Sequence, residues 1–259
     1  MIIDSHAHLN DERLYDKAGE IIAGFEANNI ESCIIAGFNL KSSDLGVKIA
    51  EKYNQYALIG THPEDIEEIN DSVLDKYKKL AQSKAVVGVG EIGLDYYYED
   101  NPTKEKQIAA FERQIILADE LELPIALHVR DAYGDCLDTL KRMHAYLNNG
   151  ILLHCYSSSV EMVDRFNEFD CYYALGGAIT FKNAKKDDVI KKIPLDRLLV
   201  ETDCPYLTPH PYRGETNEPK FINLTVDKIA SVLEMEREKV IDITNKNTKR
   251  LFKKIRWIT

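Results

Sequence analysis

Eight short apolar runs, each followed by a stretch of helical spacing, limit what this chain can become. The runs are Ile2–Ile3, Ser32–Gly37, Tyr56–Gly60, Ala85–Gly90, Ile125–Val129, Ile151–His154, Cys171–Leu175 and Leu198–Glu201. Helical patterns lie between them, near Tyr15–Asn28, Ser42–Tyr53, Asp71–Ser83, Thr103–Leu121, Tyr133–Leu147, Ser157–Phe169 and Lys185–Lys192, and Phe221–Leu233 and Arg237–Phe252 follow. Thr103 stands where an N-cap belongs, with Gln107 soon after it. Strand–helix alternation without a linker or low-complexity break implies parallel pairing, and eight such units close a sheet on itself. The expected fold is therefore α/β, a (β/α)8 TIM barrel, with residues 1–259 forming a single domain. An open doubly wound sheet would carry a Gly-rich phosphate loop after an early strand. His6-Ala7-His8 occupies that place instead.

Strand side chains alternate faces, so His6 and His8 point to the same side and make half of a metal site. Four more candidate ligands sit at or just after apolar runs: Glu91, His128, His154 and Asp203. Each alone has a plainer reading. His128 can be a hydrogen-bonded core histidine, Glu91 an ion-pair partner of Arg130, and Asp203 a cap on the turn into Pro205. In a barrel, however, the C-terminal ends of the strands converge on one mouth. Ionisable groups crowded there need a counter-charge, which divalent cations supply.

Four histidines and two carboxylates exceed what one tetrahedral zinc with an open position needs, and they suit two ions sharing a carboxylate. Glu91 is the expected bridge, with His6, His8 and Asp203 on one ion and His128 and His154 on the other. Asp203 is placed to orient the attacking water or take its proton. Mixed histidine and carboxylate ligands suit Mg, Mn or Zn. The reaction class is hydrolysis of an ester, amide or phosphoester.

Composition narrows the setting. The formal charge of −10 argues against a wide electrostatic footprint on duplex DNA, which needs many Lys and Arg contacts to phosphates. Five scattered cysteines without a Cys-x-x-Cys pair argue against a disulfide framework. No secretory h-region or membrane-spanning run is visible, so a cytoplasmic protein with no membrane partner is expected.

Asp4-Ser5-His6-Ala7-His8-Leu9, Gly60-Thr61-His62-Pro63, Gly90-Glu91-Ile92-Gly93-Leu94-Asp95-Tyr96, His128-Val129-Arg130-Asp131-Ala132, His154-Cys155-Tyr156-Ser157 and Glu201-Thr202-Asp203-Cys204-Pro205-Tyr206-Leu207 run in order across nearly the whole chain. Arg213-Gly214 and Asn217-Glu218-Pro219 extend the series. It resembles the motif series of TatD-type metal-dependent deoxyribonucleases. The wider amidohydrolase barrels often place a modified lysine where this chain has Glu91. The resemblance implies a barrel, metal-dependent DNA hydrolysis from a strand end, and metal ligation by the six residues already singled out. It also implies a substrate-side role for His62, facing the scissile phosphate. Arg130 and Arg213 are the expected phosphate contacts, because the guanidinium fork matches phosphate oxygens, and Lys182 is a further candidate. Tyr96 and Tyr206 offer faces for a terminal base, with buried packing as their plainer role.

The pattern departs from the family at Ser158, Cys204 and Thr216, none of them a proposed ligand. The expected partner is DNA, as single strands or frayed 3′ ends rather than intact duplex, and no obligate protein partner is expected. Two other functions fit the same strand ends. One is hydrolysis of small ester, amide or aminoacyl-ester substrates, and the other is a non-catalytic interaction protein, which the intact six-residue set disfavours.

Overall fold

A computed structural model describes residues 1–255 as an α/β barrel with its eight parallel strands in sequence order around one sheet. The strands are β1 Ile2–Ala7, β2 Ile30–Ala36, β3 Tyr56–Ile59, β4 Val86–Asp95, β5 Ile125–Arg130, β6 Ile151–Leu153, β7 Tyr172–Leu175 and β8 Leu198–Val200. The helices are α1 Ala18–Ala23, α2 Leu40–Tyr53, α3 Asp71–Leu80, α4 Lys104–Glu120, α5 Tyr133–Arg142, α6 Val160–Asn167, α7 Asp187–Lys192, α8 Ile222–Leu233 and α9 Arg237–Leu251. No helix among the described residues is long and apolar enough to cross a membrane.

Alternation along the strands separates two apolar cores. Ile34, Ala36, Leu58, Ala126, Leu152, Ala174 and Leu199 form one buried cluster together with Phe252, which follows α9. Cys33, Ile35, Ala57, Leu127, Leu153 and Val200 belong to the other, with the buried faces of the helices. The first fills the barrel and the second seats the helical ring. Both strand faces are thus buried, as parallel sheets require.

Two local expectations change. The single helix expected near Tyr15–Asn28 is a short α1 flanked by 3-10 turns at Tyr15–Lys17 and Glu26–Asn28. Gly19 and Gly24 lower helical propensity there, and Asn29 turns the chain at φ 59°. Thr103 does occupy the N-cap position of α4, but its side chain makes no capping bond. Gln107 instead reaches back to β4: its Oε1 accepts Asp95 N at 2.8 Å and its Nε2 donates to Asp95 O at 2.8 Å.

The seam between β8 and β1 is closed largely through side chains. Ser5 Oγ donates to Val200 O at 2.9 Å, and Asp203 N donates to His6 O at 2.9 Å. Asp4 takes Thr202 N on Oδ1 at 2.9 Å and Thr202 Oγ1 on Oδ2 at 2.5 Å. Burial pushes the Asp4 carboxyl up from 3.8 to about 7, against the lowering effect of the Thr202 bonds. Between those two values the folded protein keeps a proton that the unfolded chain has released, so this group's contribution to stability falls as pH rises through that window. The wild-type advantage over Asp4→Asn should shrink across it by up to ~1.4 kcal/mol per pH unit. Urea unfolding of both proteins in chelator at a series of pH values measures this, and parallel profiles would contradict it.

Candidate metal centre

The barrel-filling columns of side chains continue upward into polar residues at the mouth. On β5, Ala126 belongs to the barrel-filling cluster, and His128 and Arg130 follow on the same face. On β6, Leu152 leads to His154. On β4, Ile92 and Leu94 pack outward against the helices, which leaves Glu91, Gly93 and Asp95 facing inward. Glu91 thus lies within a strand that runs to Asp95, five residues beyond the end expected from sequence. At Gly93, which has φ +139°, a Cβ would lie 2.1 Å from His128 O, so only glycine lets β4 approach β5 there. Asp203 follows β8 at φ 55°, and its backbone N–H donates a hydrogen bond to His6 O.

The six expected ligands come together around Glu91. Its Oε2 faces His6 Nε2 at 3.4 Å and His8 Nε2 at 3.5 Å. Its Oε1 faces His128 Nδ1 and His154 Nε2, each at 2.8 Å. Asp203 Oδ1 stands 3.3 Å from His8 Nε2 and 3.9 Å from His6 Nε2. Three donor groups result, each with its atoms within 4.8 Å of one another: His6–His8–Asp203, His6–Glu91–His154 and His62–Glu91–His128. The alternative ion pair between Glu91 and Arg130 does not form among the described residues; the histidines take the carboxylate instead.

Several ligands are oriented from behind. His128 Nε2 bonds Asp95 Oδ2 at 2.9 Å, so its Nδ1 is the atom turned to Glu91. His8 Nδ1 bonds Ala36 O at 3.0 Å. His154 Nδ1 lies 3.5 Å from Glu201 Oε1, which also accepts Cys155 N at 2.7 Å. Sequence reasoning missed these supports. Asp95 had a signal, since it lies four positions from Glu91 and therefore on the same strand face.

Charge in the cluster follows the same contacts. Burial opposes ionisation of Glu91, but His154, His128 and His6 outweigh it and hold the carboxyl well below its ordinary range. His154 is pushed well above its ordinary value, because Glu91 and Glu201 overcome burial. His128 rises similarly through Asp95 and Glu91. His6 is lowered by burial and by His154. Buried oxygen and imidazole donors of this kind suit borderline divalent ions, whose positive charge would balance the carboxylates when bound. The residues fit a metal centre.

His62 also reaches the cluster. Its amide donates to Phe38 O at 2.8 Å, and Gln114 of α4 pins the adjacent Thr61 through Thr61 N at 2.8 Å and Thr61 O at 3.0 Å. His62 Nδ1 accepts Glu64 N at 3.3 Å, and Nε2 lies 3.7 Å from Glu91 Oε1. Burial first, then His128, lowers its pKa to about 3, so the ring is neutral with its proton on Nε2. Three arginines stack on aromatic rings in the loops around the mouth: Arg130 over Tyr97 at 3.6 Å, Arg13 over Tyr206 at 4.4 Å and Arg213 over Phe181 at 4.5 Å. Tyr96 bonds Asp135 and Tyr206 bonds Asp11, so both hydroxyls are committed to the protein. Lys182 lines a cleft of about 500 Å³ with Lys185 and His210, separate from the six ligands.

A barrel whose mouth joins four histidines to two carboxylates belongs with the metal-dependent hydrolases. The profile of the family described as TatD related DNase matches residues 3–253. The metal-dependent hydrolase YabD of Bacillus subtilis strain 168, itself uncharacterized, is 41% identical over 255 residues, covering 98% of this chain and 99% of that protein. YcfH of Escherichia coli K12, an uncharacterized metal-dependent hydrolase, is 33% identical and covers 97% and 95%. The crystal structure of YjjV, a TatD homologue from Escherichia coli K12, superposes with a TM-score of 0.91 at 28% identity, covering 97% and 98%. The chain belongs to the TatD family of metal-dependent hydrolases.

Proposed function

We propose that this hydrolase cleaves phosphodiester bonds at the end of a DNA strand, using two divalent ions that share Glu91. The observation that carries the reading is the division of the Glu91 carboxylate, one oxygen toward His6 and His8 and the other toward His128 and His154. His6, His8, Glu91, His128, His154 and Asp203 would hold divalent ions here, and such ions would supply an acidified water and offset charge on a phosphoryl group, the two demands of in-line displacement at phosphorus. Asp203, beside His8, accepts the proton of the attacking water. His62 keeps a proton on Nε2 near Glu91 and donates it as a hydrogen bond to the phosphate. Arg130, stacked on Tyr97, and Arg213, stacked on Phe181, would supply the phosphate contacts.

His62→Ala should therefore lower turnover by about 10²-fold. Metal content by emission spectrometry should stay the same. An equal loss of metal would make His62 a ligand.

A protein of charge −10 gains nothing from long-range attraction to duplex, so contact must be local. Metal-depleted protein re-supplied with Mg, Mn or Zn singly, and assayed on end-labelled single strands, closed circular DNA and a carboxylic ester, tests the reading. End-directed release of nucleotides with a shallow salt slope is expected. Rapid cutting of closed circles would overturn the end-directed part, and turnover of the ester alone would favour small ester or aminoacyl-ester substrates.

A further inference from the structure

Tyr96, Tyr97 and Tyr98 follow one another after β4, and of the three rings the last two are the exposed ones. Tyr96 bonds Asp135 Oδ2 at 3.0 Å, with Lys104 Nζ 4.4 Å from its ring centre. Tyr97 and Tyr98 are 53% and 46% exposed, their rings meeting edge to face at 4.8 Å. Two large rings held in water forgo the burial that usually stabilises an aromatic side chain.

Their polar neighbour is Arg130. Its guanidinium carbon lies 3.6 Å from the Tyr97 ring centre and 5.1 Å from that of Tyr98, and Nη1 is 3.5 Å from Tyr98 Oη. Arg130 forms no ion pair among the described residues, although the protein carries 43 acidic side chains. The planar face of the cation is thus used by a ring while its charge is left without a carboxylate.

One side chain fixes this group beside the metal ligands. Asp95 Oδ1 accepts Tyr97 N at 2.9 Å, and Asp95 Oδ2 bonds His128 Nε2 at 2.9 Å. In the ladder between β4 and β5, Asp95 pairs with Arg130 and Gly93 with His128. The rings, the cation and a ligand are therefore set by the same two strand ends.

We propose that Tyr97, Tyr98 and Arg130 form a stacking subsite for one unpaired nucleobase, next to the phosphate held at the metal centre. The subsite rests on the phosphodiester reading and supplies its preference for unpaired ends. A terminal base free of its partner offers a whole π-face to the tyrosines, and Arg130 offers its charge to the adjoining phosphate. A stacked and paired base has that face covered.

The test is binding by the metal-loaded protein of short phosphorothioate single strands that end in 2-aminopurine or in an abasic residue, at either terminus. The 2-aminopurine fluorescence should be quenched at one terminus, and an abasic residue there should weaken binding about tenfold or more. Tyr97→Ala with Tyr98→Ala should cost a similar factor and abolish the quenching, with metal content and circular dichroism unchanged. Tyr97→Phe with Tyr98→Phe should restore both. Equal binding of base-ended and abasic strands, or no strand binding, would overturn the subsite. Quenching that depends on the tyrosines, without hydrolysis of natural strands, would retain the subsite and refute the phosphodiester reading. Hydrolysis without quenching would do the reverse.

Discussion

Glu91→Gln should abolish hydrolysis and strip metal from the protein without unfolding it. The amide keeps the size of the side chain but removes the charge that sits between two pairs of imidazoles at 2.8–3.5 Å. An amide NH2 also turns donors, not lone pairs, toward one of those pairs. Losing several kcal/mol of charge stabilisation at 1.36 kcal/mol per decade corresponds to a fall of about 10³-fold or more in kcat/KM. Metal content and turnover measured on the same preparation decide the matter. Near-normal turnover with full occupancy would sink the shared-carboxylate arrangement. The barrel itself rests on the apolar columns below Glu91, so circular dichroism should change little.

Asp95→Asn should weaken metal binding by about 10- to 100-fold, the usual cost of losing a carboxylate behind a histidine ligand. In the wild type, Asp95 accepts from His128 Nε2 and from Tyr97 N, one oxygen for each. Asparagine has a single oxygen. If the Tyr97 amide keeps it, the asparagine NH2 faces His128 Nε2 and drives the ring proton to Nδ1, the atom that faces Glu91. Competition with a chromophoric chelator measures the affinity, and activity should return at raised metal concentration. Unchanged affinity would show that Asp95 acts on the chain end alone.

The barrel and the six mouth residues could be read from the chain because strand end, apolar run and ligand lie side by side in sequence. His128 follows Ala126 by two positions and His154 follows Leu152 by two, so alternation alone aims them inward. Supports from elsewhere in the chain were not legible. Gln107 reads as a helix-start residue, yet it clamps Asp95 from the first turn of α4. Gln114 reads as one more polar helix position, yet it anchors Thr61 beside His62 across 53 residues. The end of β4 was hidden for a different reason. Gly90 and Gly93 weaken its strand signal, while packing against β5 holds the segment extended as far as Asp95.

The seam that ties Asp4 to Thr202 spans 198 positions. A ribosome therefore completes His6 and His8 long before their carboxylate partner, Asp203, exists. A growing chain of this sequence holds imidazoles able to capture a stray cation, yet no finished catalytic mouth until the eighth strand has emerged and docked on the first. Contacts of such separation are slow to form, because a long loop must close before they repay its entropy. The hydrolytic centre thus reports completion of the fold, and a fragment released before β8 would lack Asp203 and with it a complete ligand set.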